Sequence, residues 1–319
     1  MRLSYLMTQT AMLSALATAA GAQAQAGMPA GARAEVRRHE GTAGARDYRV
    51  FVPSGYDAKQ AAVPLVVMLH GCTQDAADVA RGTRLDAHAE RAGALVVYPE
   101  QPATANPKKC WNWYDAAHQA RDAGEPAIVA GIVRDVMASH RVDPSRVYVA
   151  GISAGGAMAA IVAAAYPETF AAAASHSGIA VGASRSVMDA LGVMAKGPAA
   201  PAPALGSAPP PLLVVQGGAD PVVNAANAEA LAAQWRKARG TRDEGRRDEG
   251  ESGGYHFARA SWGDAAAPDV EVVTVRELGH AWSGGAAEGT YTDARGPDAT
   301  ALMMKFLLSH RRPSGAKAP

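Results

Sequence analysis

Apolar residues fall along the chain in short unbroken runs, set apart by longer stretches with helical spacing. Pro64–Leu69 (PLVVML), Ala94–Tyr98 (ALVVY) and Leu212–Gln216 (LLVVQ) are continuous apolar runs. Such runs predict strands covered on both faces, because an exposed face would call for alternation. Arg46–Val52 does alternate and predicts an early strand. Arg146–Ala150, Phe170–Ser175 and Val270–Val275 complete the predicted strands. Helices are predicted between them at Asp75–Ala92, Glu125–His140, Ala154–Tyr166, Asn224–Arg239 and Pro297–His310. Strands alternating with helices imply an α/β fold with a mostly parallel sheet and right-handed crossovers.

Two segments break the rhythm. Lys196–Pro211 (KGPAAPAPALGSAPPP) predicts an irregular surface segment, and the charged, Gly-rich Gly240–Gly254 predicts a solvated loop. Strands on both sides of each are needed for one sheet, so a single domain over residues 27–319 is expected, with no appended substrate-binding domain. Residues 1–26 follow the order of a secretory signal. Arg2 precedes a short apolar run, and Ala22–Ala26 offers A-x-A cleavage sites. The run is too short and too polar to span a bilayer, and nothing later reads as a membrane helix. An exported protein, periplasmic or extracellular, is the expectation.

Charge narrows the partners. There are 31 Lys+Arg against 30 Asp+Glu, a net charge of +1. This excludes both a strongly basic nucleic-acid footprint and an acidic disordered chain. The two cysteines, Cys72 and Cys110, form an even count, which favours a disulfide in an exported chain, with two free buried thiols as the alternative. They form no C-x-x-C or Cys/His cluster, so neither a thiol-redox role nor a structural zinc site is expected, and no cofactor is among the expectations. Oligomeric state is open.

Gly151-Ile152-Ser153-Ala154-Gly155 lies between a predicted strand and a helix rich in small residues. A G-x-S-x-G sequence in that context makes a sharp turn that lifts the serine hydroxyl above the sheet edge. A serine nucleophile needs a base, and the base needs a carboxylate to orient it. His280 leaves the late strand Val270–Val275, and Asp220 follows Leu212–Gln216 through a Gly-rich turn. Both positions suit loops at the carboxyl ends of strands. Asp220 could alternatively cap a following helix. Backbone amides of Cys72, beside Gly71, and of Ala154 are the candidate oxyanion donors. Only 6% of residues are aromatic, yet Trp111 and Trp113 sit together and Trp282 lies two residues past His280. All three are candidate substrate contacts.

The runs PLVVMLHGCTQ, CWNWY, GISAGG, GGADPVV, GHAWSGG and GTYTDARGPDAT together resemble the extracellular poly(3-hydroxybutyrate) depolymerase family of esterases, over roughly residues 35 to 310. The resemblance implies an α/β-hydrolase fold, a metal-free Ser-Asp-His triad at Ser153, Asp220 and His280, and a Cys72–Cys110 bridge. It also implies hydrolysis of poly(3-hydroxybutyrate) or its oligomers. Feruloyl and acetylxylan esterases share these motifs, so plant cell-wall esters are the alternative substrate.

Overall fold

The computed structural model describes residues 28–241 and 244–313. The expected signal at 1–26 lies outside the described residues. The chain opens with β1 (Arg33–Gly41) and β2 (Gly44–Val52), which pair antiparallel. Next come β3 (Val63–Leu69), helices α1 (Ala76–Thr83) and α2 (Leu85–Ala92), and β4 (Leu95–Pro99). Helix α3 (Gly124–Ser139), β5 (Val142–Ile152), α4 (Ala154–Ala165) and β6 (Ala172–His176) follow. Helix α5 (Val187–Lys196), β7 (Leu212–Gly217) and α6 (Ala226–Arg239) lead to β8 (Arg246–Ser252), β9 (Tyr255–Gly263) and β10 (Pro268–Val275). Two short strands, β11 (Trp282–Ser283) and β12 (Thr292–Asp293), precede α7 (Ala299–Leu308).

Ten strands form one sheet in the order β1-β2-β4-β3-β5-β6-β7-β10-β9-β8. Its middle, from β4 through β3, β5, β6 and β7 to β10, is parallel. The strands at either end are antiparallel. The continuous apolar runs are explained by the two cores. On β3, Leu65, Val67 and Leu69 pack on one side with Ile128 and Ile132 of α3, Met158 of α4 and Trp235 of α6. Val66 and Met68 pack on the other with Val79 of α1, Leu85 of α2 and Phe306 of α7. A strand sandwiched in this way has no solvent face and no reason to alternate.

Two expectations need correction. The helix over Asp75–Ala92 is two helices, hinged at Arg84 in the left-handed region (φ 53°). Just before it Gly82 packs against Gly289, where a Cβ would lie 3.3 Å from the Gly289 Cα. The charged segment Gly240–Gly254 is not all loop. Its second half is β8, which pairs with β9 through the two-residue turn Gly253-Gly254, both glycines at positive φ (57° and 78°). That is the conformation a tight hairpin turn demands. Helix α5, finally, lies in a stretch that periodicity left unassigned. Lys196–Pro211 is irregular beyond the last residue of α5, as expected, and strands from both sides of it enter the same sheet.

Candidate active site

The parallel strands end along one edge of the sheet, and loops from β3, β5, β7 and β10 converge there. Ser153 sits between β5 and α4 with φ 57° and ψ −123°, a conformation that is costly for a residue with a side chain. The flanking glycines make the turn possible. A Cβ on Gly155 would fall 2.2 Å from the Leu69 carbonyl oxygen, and one on Gly151 would fall 2.3 Å from that of Gly155. The Ser153 amide donates to the His176 carbonyl at 2.8 Å, pinning the turn to β6.

His280 and Asp220 meet this serine. The Ser153 hydroxyl lies 3.0 Å from His280 Nε2, and His280 Nδ1 lies 2.7 Å from Asp220 Oδ2. A ring that donates from Nδ1 to the carboxylate has Nε2 free to accept the hydroxyl proton. Asp220 also accepts the amides of Val222 and Val223, each at 2.8 Å, through its other oxygen. It therefore shapes its own turn and holds the imidazole at once. Burial would push the Asp220 carboxyl up. The His280 hydrogen bond and the Val223 and Val222 amides outweigh that and hold it below the usual carboxylate range. Asp264, Asp269 and Asp293, the other carboxylates along this part of the chain, are engaged elsewhere: Asp264 with the Ala266 and Ala267 amides, Asp269 with Arg239, and Asp293 with Tyr255 and Arg295.

The loop after β3 lies beside the serine, since a Cβ on Gly71 would be 3.6 Å from Ser153 Cβ. Among the described residues, neither the Cys72 nor the Ala154 amide donates to a protein acceptor. The loop is tightly held. His70 Nδ1 donates to the Gly71 carbonyl at 2.7 Å, its Nε2 accepts the Gln101 amide at 3.0 Å, and Gln74 Oε1 accepts the Gly71 amide at 2.8 Å. Burial pushes His70 down to about 4, so the ring is neutral, as this tautomer requires. Cys72 and Cys110 form a disulfide across the loop and the following segment. Behind it, buried Glu125 accepts from Gln101 and from the amide and side chain of Asn112. His176, beneath the serine, is fully buried, pushed down to about 3 by burial and by His280, and stacked on Trp282.

The serine opens into a groove of about 310 Å³. Trp113 and Tyr114 form part of one wall; Ile179, Leu191, Met194 and Val223 form part of the other. Of the three predicted aromatic contacts, only Trp113 reaches it. Trp111 is fully buried against His70, with ring centres 5.9 Å apart. Trp282 is buried between His176 and α7, its indole N–H donating to Thr300 Oγ1 at 3.0 Å. Both hold the site's framework rather than its surface. Sequence reasoning missed Gln74, Gln101 and Glu125, and also Tyr291. The Tyr291 ring packs edge-on to His280 at 6.3 Å, and its hydroxyl lies 3.1 Å from Thr73 Oγ1. No group of three or more His, Cys, Asp or Glu among the described residues is placed to hold a metal ion.

A parallel sheet bearing a serine on a strained strand-to-helix turn, with histidine and carboxylate on later loops, defines an α/β hydrolase. The likeness to an acetyl xylan esterase from Aspergillus awamori agrees, with a TM-score of 0.64 at 20% identity over 83% of this chain and 94% of that one. The chain belongs to the esterase PHB depolymerase family, whose model matches residues 46–254. It is 40% identical to poly(3-hydroxyalkanoate) depolymerase C of Paucimonas lemoignei over 146 residues, 46% of this chain and 34% of that protein. It is 38% identical to feruloyl esterase B of Neurospora crassa over 131 residues, 41% of this chain and 43% of that protein. The matched stretches thus span less than half of these curated relatives.

Proposed function

We propose that the protein is an exported serine esterase that cleaves poly(3-hydroxybutyrate) or its oligomers. The observation that carries the reading is the hydrogen-bonded line from Asp220 through His280 to Ser153, ending in an apolar groove. His280 Nε2 takes the Ser153 proton as the serine oxygen attacks the ester carbonyl. The Cys72 and Ala154 amides stabilise the negative oxygen of the tetrahedral intermediate. Collapse expels the alcohol, which leaves with the proton from His280, and the acyl group stays on Ser153. Water, deprotonated by His280, then releases the acid and restores the serine. Asp220 keeps the ring in the required tautomer and stabilises it when charged.

The aliphatic wall of the groove and the similarity to a polyhydroxyalkanoate depolymerase support the polyester substrate. The disulfide supports an oxidising destination, in keeping with the signal-like residues 1–26. A second reading, hydrolysis of feruloyl or acetyl esters of xylan, is favoured by the feruloyl esterase similarity and by Trp113 and Tyr114 on the groove wall. Side-by-side product release separates the two. 3-Hydroxybutyrate products from amorphous polymer with little ferulate from feruloylated arabinoxylan is the expected result. Ferulate release with untouched polymer would move the function to the second reading.

A further inference from the structure

The base and one oxyanion donor arrive on loops far apart in the chain: His280 follows β10, and Cys72 follows β3. Tyr291, which packs on His280 but is not part of the groove lining, joins the two loops. Its carbonyl accepts the Trp282 amide at 2.7 Å, which fixes it to the loop of His280. Its hydroxyl lies 3.1 Å from Thr73 Oγ1. Thr73 Oγ1 gives its own proton to the Cys72 carbonyl at 2.6 Å, so the tyrosine is the donor of that pair. A second rung runs beside the first. Gln74 Oε1 accepts the Gly71 amide, and Gln74 Nε2 donates to the Thr290 carbonyl at 3.1 Å. Cys72 is thus tied through both of its neighbours, Gly71 and Thr73, to Thr290 and Tyr291. Both ends of the outer rung have unusual backbone. Tyr291 has φ 52° and Thr73 φ 65°, in the left-handed region that bulky and β-branched residues avoid. Tyr291 is 46% exposed, and one neutral hydrogen bond open to water contributes only modestly to stability. Strain at two residues without a matching gain in stability points to function.

We propose that Tyr291 is a positioning residue, which through Thr73 holds the Cys72 amide at a fixed distance from His280. The proposal rests on the triad and oxyanion roles given above. Negative charge grows on the carbonyl oxygen as His280 takes the serine proton, so donor and base act together and must keep one mutual geometry. On the groove side the Cys72 loop is braced by its disulfide; on the histidine side Tyr291 supplies the brace. Loosening that brace leaves the groove lining in place, since neither Tyr291 nor Thr73 belongs to it. The cost therefore falls on the transition state rather than on substrate binding.

The test uses Tyr291→Phe, which removes only the hydroxyl, and Thr73→Val, which keeps the branched shape without the acceptor. Their double variant and Thr73→Ser, which keeps the hydroxyl, complete the set. Steady-state hydrolysis of p-nitrophenyl butyrate and thermal unfolding are measured for each, with Ser153→Ala alongside. Tyr291→Phe is expected to lower kcat about fivefold, with KM and thermal unfolding unchanged. Thr73→Val should lower kcat at least as far, and adding Tyr291→Phe to it should have no further effect. Thr73→Ser should keep the kcat of the unmodified protein. A Tyr291→Phe protein with unaltered kcat would overturn the proposal. So would an equal further loss when Tyr291→Phe is added to Thr73→Val, since the hydroxyl would then act without Thr73. A rise in KM at constant kcat would overturn it too, by making Tyr291 a substrate contact. Activity retained by Ser153→Ala would overturn the triad reading itself, a result separate from all of these.

Discussion

The two walls of the groove are built by opposite means. The wall that carries the Cys72 loop is tied by directional bonds: a disulfide to Cys110, His70 to Gln101, and Gln101 and Asn112 to buried Glu125. The wall formed by α5 is held mainly by apolar packing and a few bonds, such as the Asn224 amide and Asn227 side chain to the carbonyls of Met194 and Val193, each at 2.8 Å. Chemistry explains the contrast. Oxyanion donors lose their effect with small displacements, so their backbone must be fixed. An apolar wall needs shape and dryness and gains little from fixed polar partners.

Removing the floor common to both walls has the largest effect. Ser153→Ala should lower kcat toward soluble and polymeric esters alike by about 10⁴-fold or more, with an unchanged thermal unfolding curve. Changes to one wall should instead separate stability from substrate choice.

Acid should strike the tied side. His70 and His176 are held neutral by burial, at about 4 and about 3, while the unfolded chain takes up protons near pH 6.5. The unfolded state therefore binds more protons between those values, and stability falls as pH drops from about 6.5 toward 4. Each histidine contributes a slope of about 1.4 kcal/mol per pH unit within its window. Asp220, with its lowered pKa, acts in the same sense, its contribution being lost as pH falls through its folded value. Denaturant titrations across this range, with proton uptake on unfolding, check the slope. A flat profile would contradict it.

Replacing both cysteines by serine should cost about 3–4 kcal/mol of stability and lower kcat, by freeing the Cys72 loop. Glu125→Gln should cost about 2–4 kcal/mol, because it puts an NH₂ among donors and removes the carboxylate that faces Arg46, 3.7 Å away. The same substitution should affect kcat more than KM, as the loop rather than the α5 wall is loosened. Urea unfolding and steady-state kinetics on a soluble ester read both effects.

How far the sequence reached follows the same division. Ser153, His280 and Asp220 were legible because each needs a local context, a strand followed by a tight turn, that leaves marks in neighbouring residues. The parallel sheet was legible because strands covered on both faces are unbroken apolar runs. Burial of Trp111 and Trp282 was not, since aromatic scarcity says nothing about which way a ring points. Glu125 and Gln101 were invisible because their partners are set by tertiary approach. Two misses had local signals. Ser186 accepts the Asp189 amide at 3.2 Å, the S-x-x-D start of α5. Gly253-Gly254 marks the β8–β9 hairpin, overlooked because the charges of β8 hid a strand exposed at the sheet edge.

The central claim is that Ser153 is the one activated nucleophile, with His280 as its base. Incubating the protein with an alkyl fluorophosphonate, which phosphonylates activated serines, and mapping the adduct by peptide mass spectrometry tests this directly. The account predicts a single adduct on Ser153, formed rapidly by the unmodified protein and lost in His280→Ala. Labelling at another serine, or equal labelling in His280→Ala, would contradict it.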